Sequence, residues 1–320
     1  MKTFEKLVLA IGVAALVMLL WKMEPATVGA LVRQVGWGFT LVVAQEAVAH
    51  LLNALGWRFA FAADQAASFP LRELVCLRVA GDAINYLTPS ATIAGEITRT
   101  TRLNNSQGTE VRAASVLVAK CTQTLGEILF AVTGLLVVSG GQFPPTRWPR
   151  HIVYGAAGGF TLVLVALGLY LLWVRRRPGP TADLVPLGTG LPGLGSWLHY
   201  YLRRYPGRFG VSTLLFTLGY AWGAFEAYWI CHFLKVPVSV GTAMTIEVFS
   251  VAVDGVFFMV PAKVGTQEGG KTAIFAWLGL SPITGFAFGV IRHVRELVWA
   301  GMGLALYHGL RRPGGDPGKA

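Results

Sequence analysis

The sequence predicts an all-α polytopic membrane protein with an inverted-topology internal repeat, about six transmembrane helices and two re-entrant helical hairpins. Hydrophobic residues make up 54% of the 320 residues and charged residues only 13%, about half of the ~25% usual in soluble domains. Several apolar runs reach the ~20 residues that a helix needs to cross a bilayer. A charged segment interrupted by proline also occurs twice, and we interpret the remaining elements around this duplication.

The duplicated segment contains Asp82 in its first copy and Asp254 in its second, an offset of 172 residues (254 − 82). The same offset relates five further pairs, namely Pro89 with Pro261, Glu96 with Glu268, Arg99 with Lys271, Lys120 with Arg292, and Trp57 with Trp229. Because charged residues are scarce, acids aligned with acids and bases with bases indicate a repeat. In each copy the proline breaks the apolar segment into two arms. Two unrelated proline-broken helices are the alternative interpretation.

The first half of the chain begins with an apolar helix at Leu7–Trp21, preceded by lysines and without a convincing cleavage site, within residues 1–35. Repeat 1 covers residues 36–140. It contains a second span at about Trp37–Phe61, a hairpin over residues 72–103 and a third span at about Val111–Ser139. Lys120, Gln123 and Glu127 share one face of the third span.

A fourth span at Ile152–Val174 carries no charge, and a basic linker rich in proline and glycine follows it, within residues 141–207. Repeat 2 covers residues 208–310. It contains a fifth span at about Phe209–Phe233, a hairpin over residues 238–280 and a sixth span at about Thr284–Gly309. The spans beside the hairpins carry charges, whereas the first and fourth do not. Charged side chains at membrane depth normally face a cavity, so we expect the charged spans to line the interior.

The distribution of basic residues predicts a cytoplasmic amino terminus and a cytoplasmic carboxyl terminus. With this orientation sixteen basic residues lie in cytoplasmic segments and five outside, the five being Lys22, Arg33, Arg147, Arg150 and Lys235. The second span then runs inward and the fifth outward, so that the two repeats are inverted. The arms Ser90–Leu103 and Ala262–Leu280 are short and polar, which favours re-entrant hairpins over the alternative of eight to ten full crossings.

Composition also excludes several functions. The net charge of +11 is explained by basic cytoplasmic loops and contact with anionic headgroups, so no nucleic-acid partner is expected. The three cysteines are far apart in sequence, and neither a zinc-binding His-Glu-x-x-His motif nor a phosphate-binding loop is present. We therefore expect no cofactor and no metal site.

Four acids form the first group of candidate site residues: Asp82, Glu96, Asp254 and Glu268. Carboxylates at membrane depth would line a polar cavity, where they take up protons or hold basic groups in position. The alternative is local pairing of Glu96 with Arg99 and of Asp82 with Arg78, which lie three and four residues apart.

Basic residues form the second group: Arg99, Arg102, Lys120, Lys263, Lys271, Arg292 and Arg295. Guanidinium and ammonium groups bind phosphate, and helix amino termini after Pro89 and Pro261 would add positive dipole ends. The alternative for Arg292 is neutralisation by Glu296, one helical turn away. Six further residues complete the candidate translocation site: Asn85, Pro89, Glu127, Pro261, Gln267 and Glu296.

Segments Arg78–Arg102 and Val260–Leu280 resemble the flippase-like transmembrane family of lysylphosphatidylglycerol synthases. The resemblance rests on Asn85-Tyr-Leu-Thr-Pro89, Gly95-Glu96, and Val264-Gly265-Thr-Gln267-Glu268-Gly-Gly270. The Gln-Glu-Gly-Gly run is similar to the branch associated with hopanoid biosynthesis. The resemblance implies a bacterial inner-membrane protein with two re-entrant hairpins that moves lipids between leaflets. Ala94 and Lys263 depart from the family pattern, and without a soluble synthetase domain no lysyl-lipid synthesis is expected.

The sequence therefore predicts a flippase-like or scramblase-like transporter for a lipid with a polar or anionic headgroup, and not an enzyme. Its expected partners are membrane lipids, either a phospholipid, a polyprenyl-phosphate or a hopanoid lipid, and a homodimer is compatible with the sequence. One alternative is a secondary carrier for a small soluble solute on the same architecture. Another is a membrane-embedded transferase, although no Asp-x-Asp metal-diphosphate loop is present.

Overall fold

The computed structural model describes residues 25–88, 93–104, 108–140 and 191–309, together with Met18, Trp21, Gly158, Leu162, Val165 and Leu169. Apart from those single positions, the predicted first and fourth spans lie outside the described residues. Pro89, most of the basic linker and the chain after residue 309 lie outside them as well.

Within the described residues the chain folds into ten α-helices and no strand, which confirms the predicted helical class. The helices are α1 (Pro25–Val35), α2 (Gly38–Phe59), α3 (Leu71–Leu87), α4 (Ile93–Arg102), α5 (Thr109–Gly140), α6 (Leu191–Arg204), α7 (Pro206–Phe233), α8 (Val240–Val256), α9 (Thr266–Trp277) and α10 (Pro282–Gly309). Helices α2, α5, α7 and α10 correspond to the second, third, fifth and sixth predicted spans. Two stretches, Gly38–Phe59 and Thr109–Leu136, are long and apolar enough to cross a membrane by length and composition.

Two helices lie where the sequence predicted connecting segments. Helix α1 falls in the predicted outer loop, and α6 falls in the linker rich in proline and glycine. Proline favours the first turn of a helix, where its missing N–H is not needed, so Pro25 and Pro192 begin these helices rather than break them. Helix α6 is tied to the end of α2 because the Tyr201 hydroxyl donates a hydrogen bond to the Phe59 carbonyl oxygen.

Helices α3 and α4 form the first hairpin, and α8 and α9 form the second. The first arms have 17 residues each, whereas α4 has 10 and α9 has 12. At 1.5 Å per residue the second arms are about 15 and 18 Å long, roughly half of the ~30 Å hydrocarbon core. Neither second arm is therefore long enough to cross a bilayer by itself.

Each hairpin packs on a long helix from the other half of the chain. Helix α3 contacts α10, and α8 contacts α5. Helices α2 and α7 pack along each other at the centre, and α7 also contacts α5 and α8. The charged faces of the long helices are consequently directed toward the space between the hairpins.

The arms of the first hairpin approach closely at two glycines. A β-carbon on Gly95 would collide with the carbonyl oxygen of Gly81 and with the side chain of Asn85. Asn85 Oδ1 accepts a hydrogen bond of 2.7 Å from the Gly95 N–H, near the start of α4. Asn85 is therefore a structural contact between the two arms.

We expect Gly95→Ala to destabilise the protein by about 1–3 kcal/mol, the usual range for overpacking. The added β-carbon would collide with the backbone carbonyl oxygen of Gly81, which cannot move aside as a flexible side chain could. Thermal unfolding of detergent-purified protein measures the effect. Gly210→Ala is the matched control, since a β-carbon there meets nothing within 4 Å on α7. Equal melting temperatures for the two variants would contradict the close packing of the arms.

Candidate functional site

Two adjoining cavities of about 330 and 230 Å³ lie between the hairpins and the long helices. Six side chains line both cavities, and we call the combined space the chamber: Glu46, Asn53, Tyr220, Lys263, Arg295 and Glu296. The first hairpin contributes Arg78, Asp82 and Tyr86 to its wall, and the second contributes Asp254. Helices α2, α5, α7 and α10 all supply lining residues, as their charge pattern predicted.

The first hairpin holds an ion-pair network centred on Arg99. Its guanidinium contacts Asp82 and Glu96, each at 2.5 Å, and is 5% exposed. Asp82 also accepts a 2.9 Å hydrogen bond from Arg78, and Lys120 lies 3.3 Å from Glu96. The local pairs Arg78–Asp82 and Glu96–Arg99, which the sequence offered as an alternative to a cavity, are therefore present beside a cavity.

The second hairpin holds Asp254 between two lysines. Lys271, which is fully buried, lies 3.2 Å from Asp254 Oδ1, and Lys263 lies 2.7 Å from Oδ2. Lys263 also contacts Glu296 at 3.4 Å. Ala262 and Lys263 both have positive φ, 51° and 53°, a conformation that costs L-residues roughly 1–2 kcal/mol. This tight turn after the buried Pro261 directs the Lys263 ammonium into the chamber.

The same acid–base pair joins the two arms of each hairpin. Asp82 Oδ1 contacts Arg99 from α4, and Asp254 Oδ1 contacts Lys271 from α9. The two residues of each pair are 17 positions apart (99 − 82 and 271 − 254). These are the four positions that the offset of 172 residues aligned.

The amino terminus of α9 is capped by Glu268. Its Oε2 accepts a 3.0 Å hydrogen bond from the Gly265 N–H, and its Oε1 lies 2.5 Å from His293 Nδ1. The neighbouring Gln267 is fully buried, and its amide has no hydrogen-bond partner among the described residues. The N–H groups of Gly265 and Gly95, near the starts of α9 and α4, are thus bound by protein side chains.

Arg292 is buried and bound to two carboxylates. It donates to Glu226 Oε2 from Nε at 3.1 Å and from a terminal nitrogen at 2.7 Å, and to Glu247 at 2.6 Å. Arg292 thus pairs with these two acids rather than with Glu296, the partner that the sequence offered as an alternative. Glu296 instead contacts Lys263 and Arg295, the latter at 3.3 Å.

Two predicted residues lie behind or beside the chamber. Glu127 accepts a 3.1 Å hydrogen bond from the Tyr220 hydroxyl, which lines both cavities. Arg102 stacks over the Tyr307 ring, with its guanidinium carbon 4.4 Å from the ring centre. It is not among the residues that line the chamber.

Several chamber residues were absent from the predicted site, namely Glu46, His50, Arg78, Glu226, Glu247 and Tyr220. Each charged residue of this set interrupts an apolar run in the sequence, and that interruption is the signal that could have identified it. Glu247 is the clearest case, because it is the only charged residue between Lys235 and Asp254. Its partner Arg292 is 45 residues away, and no spacing rule connects the two positions.

Acids outnumber bases around the chamber. Six lining residues are carboxylates: Glu46, Asp82, Glu226, Glu247, Asp254 and Glu296. Four are bases, and each contacts at least one carboxylate: Arg78, Lys263, Arg292 and Arg295. The arrangement differs from the predicted cluster of bases waiting for a phosphate. An anion that bound at one of these ion-pair contacts would have to replace a carboxylate.

These features define a helical protein with a charged chamber between two broken helical segments, in which every lining lysine and arginine contacts a carboxylate. Comparison with protein families matches residues 6–303 to the family described as the lysylphosphatidylglycerol synthase TM region. The chain belongs to this family and is therefore a membrane protein from a family associated with lipids. Comparison with curated proteins and with solved structures gives no match.

Replacing Arg292 should have a much larger effect on folding than replacing Lys120. Removing one partner of a buried ion pair costs about 3–5 kcal/mol, so Arg292→Ala should sharply lower the yield of folded protein. Lys120 is 40% exposed, and loss of such a pair costs at most about 1 kcal/mol.

Size-exclusion profiles and thermal unfolding in detergent measure both effects. Arg292→Lys should fall between the wild type and Arg292→Ala, because it keeps the charge but loses the planar fork. A normally folded Arg292→Ala variant would contradict the paired arrangement of Glu226 and Glu247.

Proposed function

We propose that the protein transports lipids across the bacterial inner membrane as a flippase or scramblase, and that it is not an enzyme. The transported lipid would have a polar or anionic headgroup, which passes through the chamber while its acyl chains stay in the bilayer. The observation that carries this proposal is a charged chamber inside a transmembrane region that belongs to a lipid-associated family.

Both the size and the chemistry of the chamber support a headgroup site. The larger cavity, about 330 Å³, falls at the lower end of the ~300–1,000 Å³ typical of ligand sites. Charged residues at membrane depth are costly, and in transporters they mark the pathway of a polar substrate. A phosphate could replace a carboxylate at Lys263 or Arg295, because all of these contacts are charge-assisted hydrogen bonds.

We further propose that the two halves form an inverted repeat, with both termini cytoplasmic and the hairpins re-entrant. The matching pairs Asp82–Arg99 and Asp254–Lys271 support the repeat. The short arms α4 and α9 support re-entrant hairpins, since neither can cross the bilayer alone. Inverted repeats around interrupted helices permit alternating access by rocking one half against the other.

The function is tested by reconstituting the purified protein in liposomes with fluorescently labelled lipids. The panel contains a phospholipid, a polyprenyl phosphate and a hopanoid lipid, together with entrapped soluble anions and cations. We expect labelled lipid to exchange between leaflets faster than in protein-free vesicles. Transport of a soluble solute without lipid exchange would instead support the small-solute carrier.

Lys263→Ala should reduce lipid transport about tenfold or more, because one charge-assisted contact is worth roughly 1.5–3 kcal/mol. Lys235→Ala is the matched control. Lys235 also has a positive φ, 57°, but it is exposed in the turn after α7. Equal transport rates for the two variants would show that the Lys263 ammonium is not part of the pathway.

The orientation can be tested with single cysteines in a background where Cys76, Cys121 and Cys231 are replaced by alanine. Asp64→Cys and Lys235→Cys place exposed thiols after α2 and after α7. With inverted repeats, a membrane-impermeant thiol reagent should label position 64 only from the cytoplasm and position 235 only from outside. Labelling of both positions from the same side would contradict the proposed topology.

A further inference from the structure

We propose that the chamber binds one proton on Glu46, at a carboxylate pair formed with Glu226, and that this proton is coupled to lipid movement. The coupling rests on the proposed transport function, whereas the proton site does not. The inference comes from an ion-pair network that contains one more carboxylate than base.

The network is continuous through the contacts of the described residues. Its five acids are Glu46, Glu226, Glu247, Asp254 and Glu296, and its four bases are Lys263, Lys271, Arg292 and Arg295. With all nine groups ionised, one negative charge has no compensating base inside the network. Retaining an uncompensated ion in a buried site is unfavourable, and binding a proton removes the charge.

Two acids, Glu46 and Glu226, compete for the same base, Arg295. The same terminal nitrogen of Arg295 contacts Glu46 Oε2 and, at 2.9 Å, Glu226 Oε2. Two carboxylates that share one site favour keeping a proton on one of them. The Arg292 guanidinium also donates twice to Glu226, so Glu226 is bound by two guanidinium groups, whereas the ion pair of Glu46 is with Arg295.

Glu46 is the member of the pair that water can reach. Its side chain is 22% exposed and lines both cavities, whereas the Glu226 side chain is 1% exposed. Trp299 and Trp222 donate hydrogen bonds to the carbonyl oxygens of Val43 and Gln45, which fixes this turn of α2. The proton is therefore placed on Glu46, from where it can exchange with the water of the chamber.

Three helices, α10, α7 and α2, contribute other charged or titratable groups around Glu46. Helix α10 contributes Arg292, Arg295 and Glu296, and α7 contributes Glu226 and Tyr220. Helix α2 itself contributes His50, four residues further along. The ionised groups of α10 and α7 are all members of the network, so none supplies the missing positive charge.

The remaining groups face Glu46 across the chamber. Helix α3 contributes Arg78, Asp82 and Tyr86; Arg78 belongs to the separate network of the first hairpin, in which Asp82 binds both Arg78 and Arg99. The second hairpin contributes Lys263 with Asp254 and Glu247, which the network also includes. Lys263 lines both cavities together with Glu46, but its ammonium is held between Asp254 and Glu296.

Protonation would couple to transport through Arg295. A neutral Glu46 holds the guanidinium less strongly, so that one N–H becomes available to a headgroup phosphate while Glu226 and Glu296 keep the side chain in place. Loss of the proton to water on the opposite side restores the Glu46–Arg295 pair and displaces the headgroup. The proton comes from water on one side of the membrane and is released on the other, with no other reactant.

The proton site is tested by infrared difference spectroscopy of the detergent-purified protein between neutral and alkaline pH. The wild type should show the C=O stretch of a buried carboxylic acid at neutral pH, and this band should disappear at alkaline pH. Glu46→Gln should remove the band, while Glu110→Gln, in the first turn of α5 outside the chamber, should keep it. Absence of the band from the wild type, or its persistence in Glu46→Gln, would overturn the proton site.

The coupling is tested in liposomes that contain a labelled phospholipid, with and without a pH gradient. For one proton per lipid, a gradient of one pH unit should bias the leaflet distribution by up to about tenfold. The bias should disappear in Glu46→Gln and remain in Glu110→Gln. A bias that persists in Glu46→Gln overturns the coupling. If no labelled lipid moves at all in the wild type, the proposed transport function fails, and the infrared result still decides the proton site.

Discussion

Moving an ion from water into a membrane interior costs several kcal/mol unless an opposite charge and hydrogen bonds compensate it. The structure of this protein depends on that constraint, because its charged side chains lie between helices rather than on their outer faces. Arg99 joins the two arms of the first hairpin, and Asp254 joins the two arms of the second. Arg295 connects α10 to α2 and α7 through Glu46 and Glu226. The ion pairs thus join helices from different parts of the chain around the chamber.

The breaks in the hairpins allow this pairing. A continuous helix would carry Asp82 and Arg99 about 25 Å apart along its axis, since 17 residues rise by 1.5 Å each. Folding the segment back at its break brings them within contact distance, and Gly81 and Gly95 let the two backbones approach closely. In the second hairpin the left-handed residues Ala262 and Lys263 make the turn.

Sequence reasoning identified the parts of this arrangement that have a local or repeated signal. One offset identified Asp82, Arg99, Asp254 and Lys271 as equivalent positions, and the continuous apolar runs identified the four long helices. The sequence offered only local partners, Arg78 for Asp82 and Glu96 for Arg99, so the pairs Asp82–Arg99 and Asp254–Lys271 across the two arms come from the structure. Helices α1 and α6 were not predicted: α1 has only 11 residues in the expected outer loop, and α6 lies in a segment whose proline and glycine content indicated a linker, although Pro25 and Pro192 suit the first turn of a helix. The partners of Arg292 could not be predicted, because Glu226 and Glu247 lie on two other helices and packing alone brings them together. The excess of carboxylates was likewise invisible in a sequence whose total charge is +11.

The pairing also bears on how a headgroup could pass without being trapped. A cluster of unpaired bases at membrane depth would bind a phosphate so strongly that release would become slow. Here every base of the chamber already holds a carboxylate, so under the proposed function an incoming phosphate would exchange one charge-assisted contact for another of similar strength, about 1.5–3 kcal/mol. The net free energy of binding would then be small, and the displaced carboxylate would provide the group that expels the phosphate again. A site built in this way would favour turnover over affinity, as the proposed transport requires.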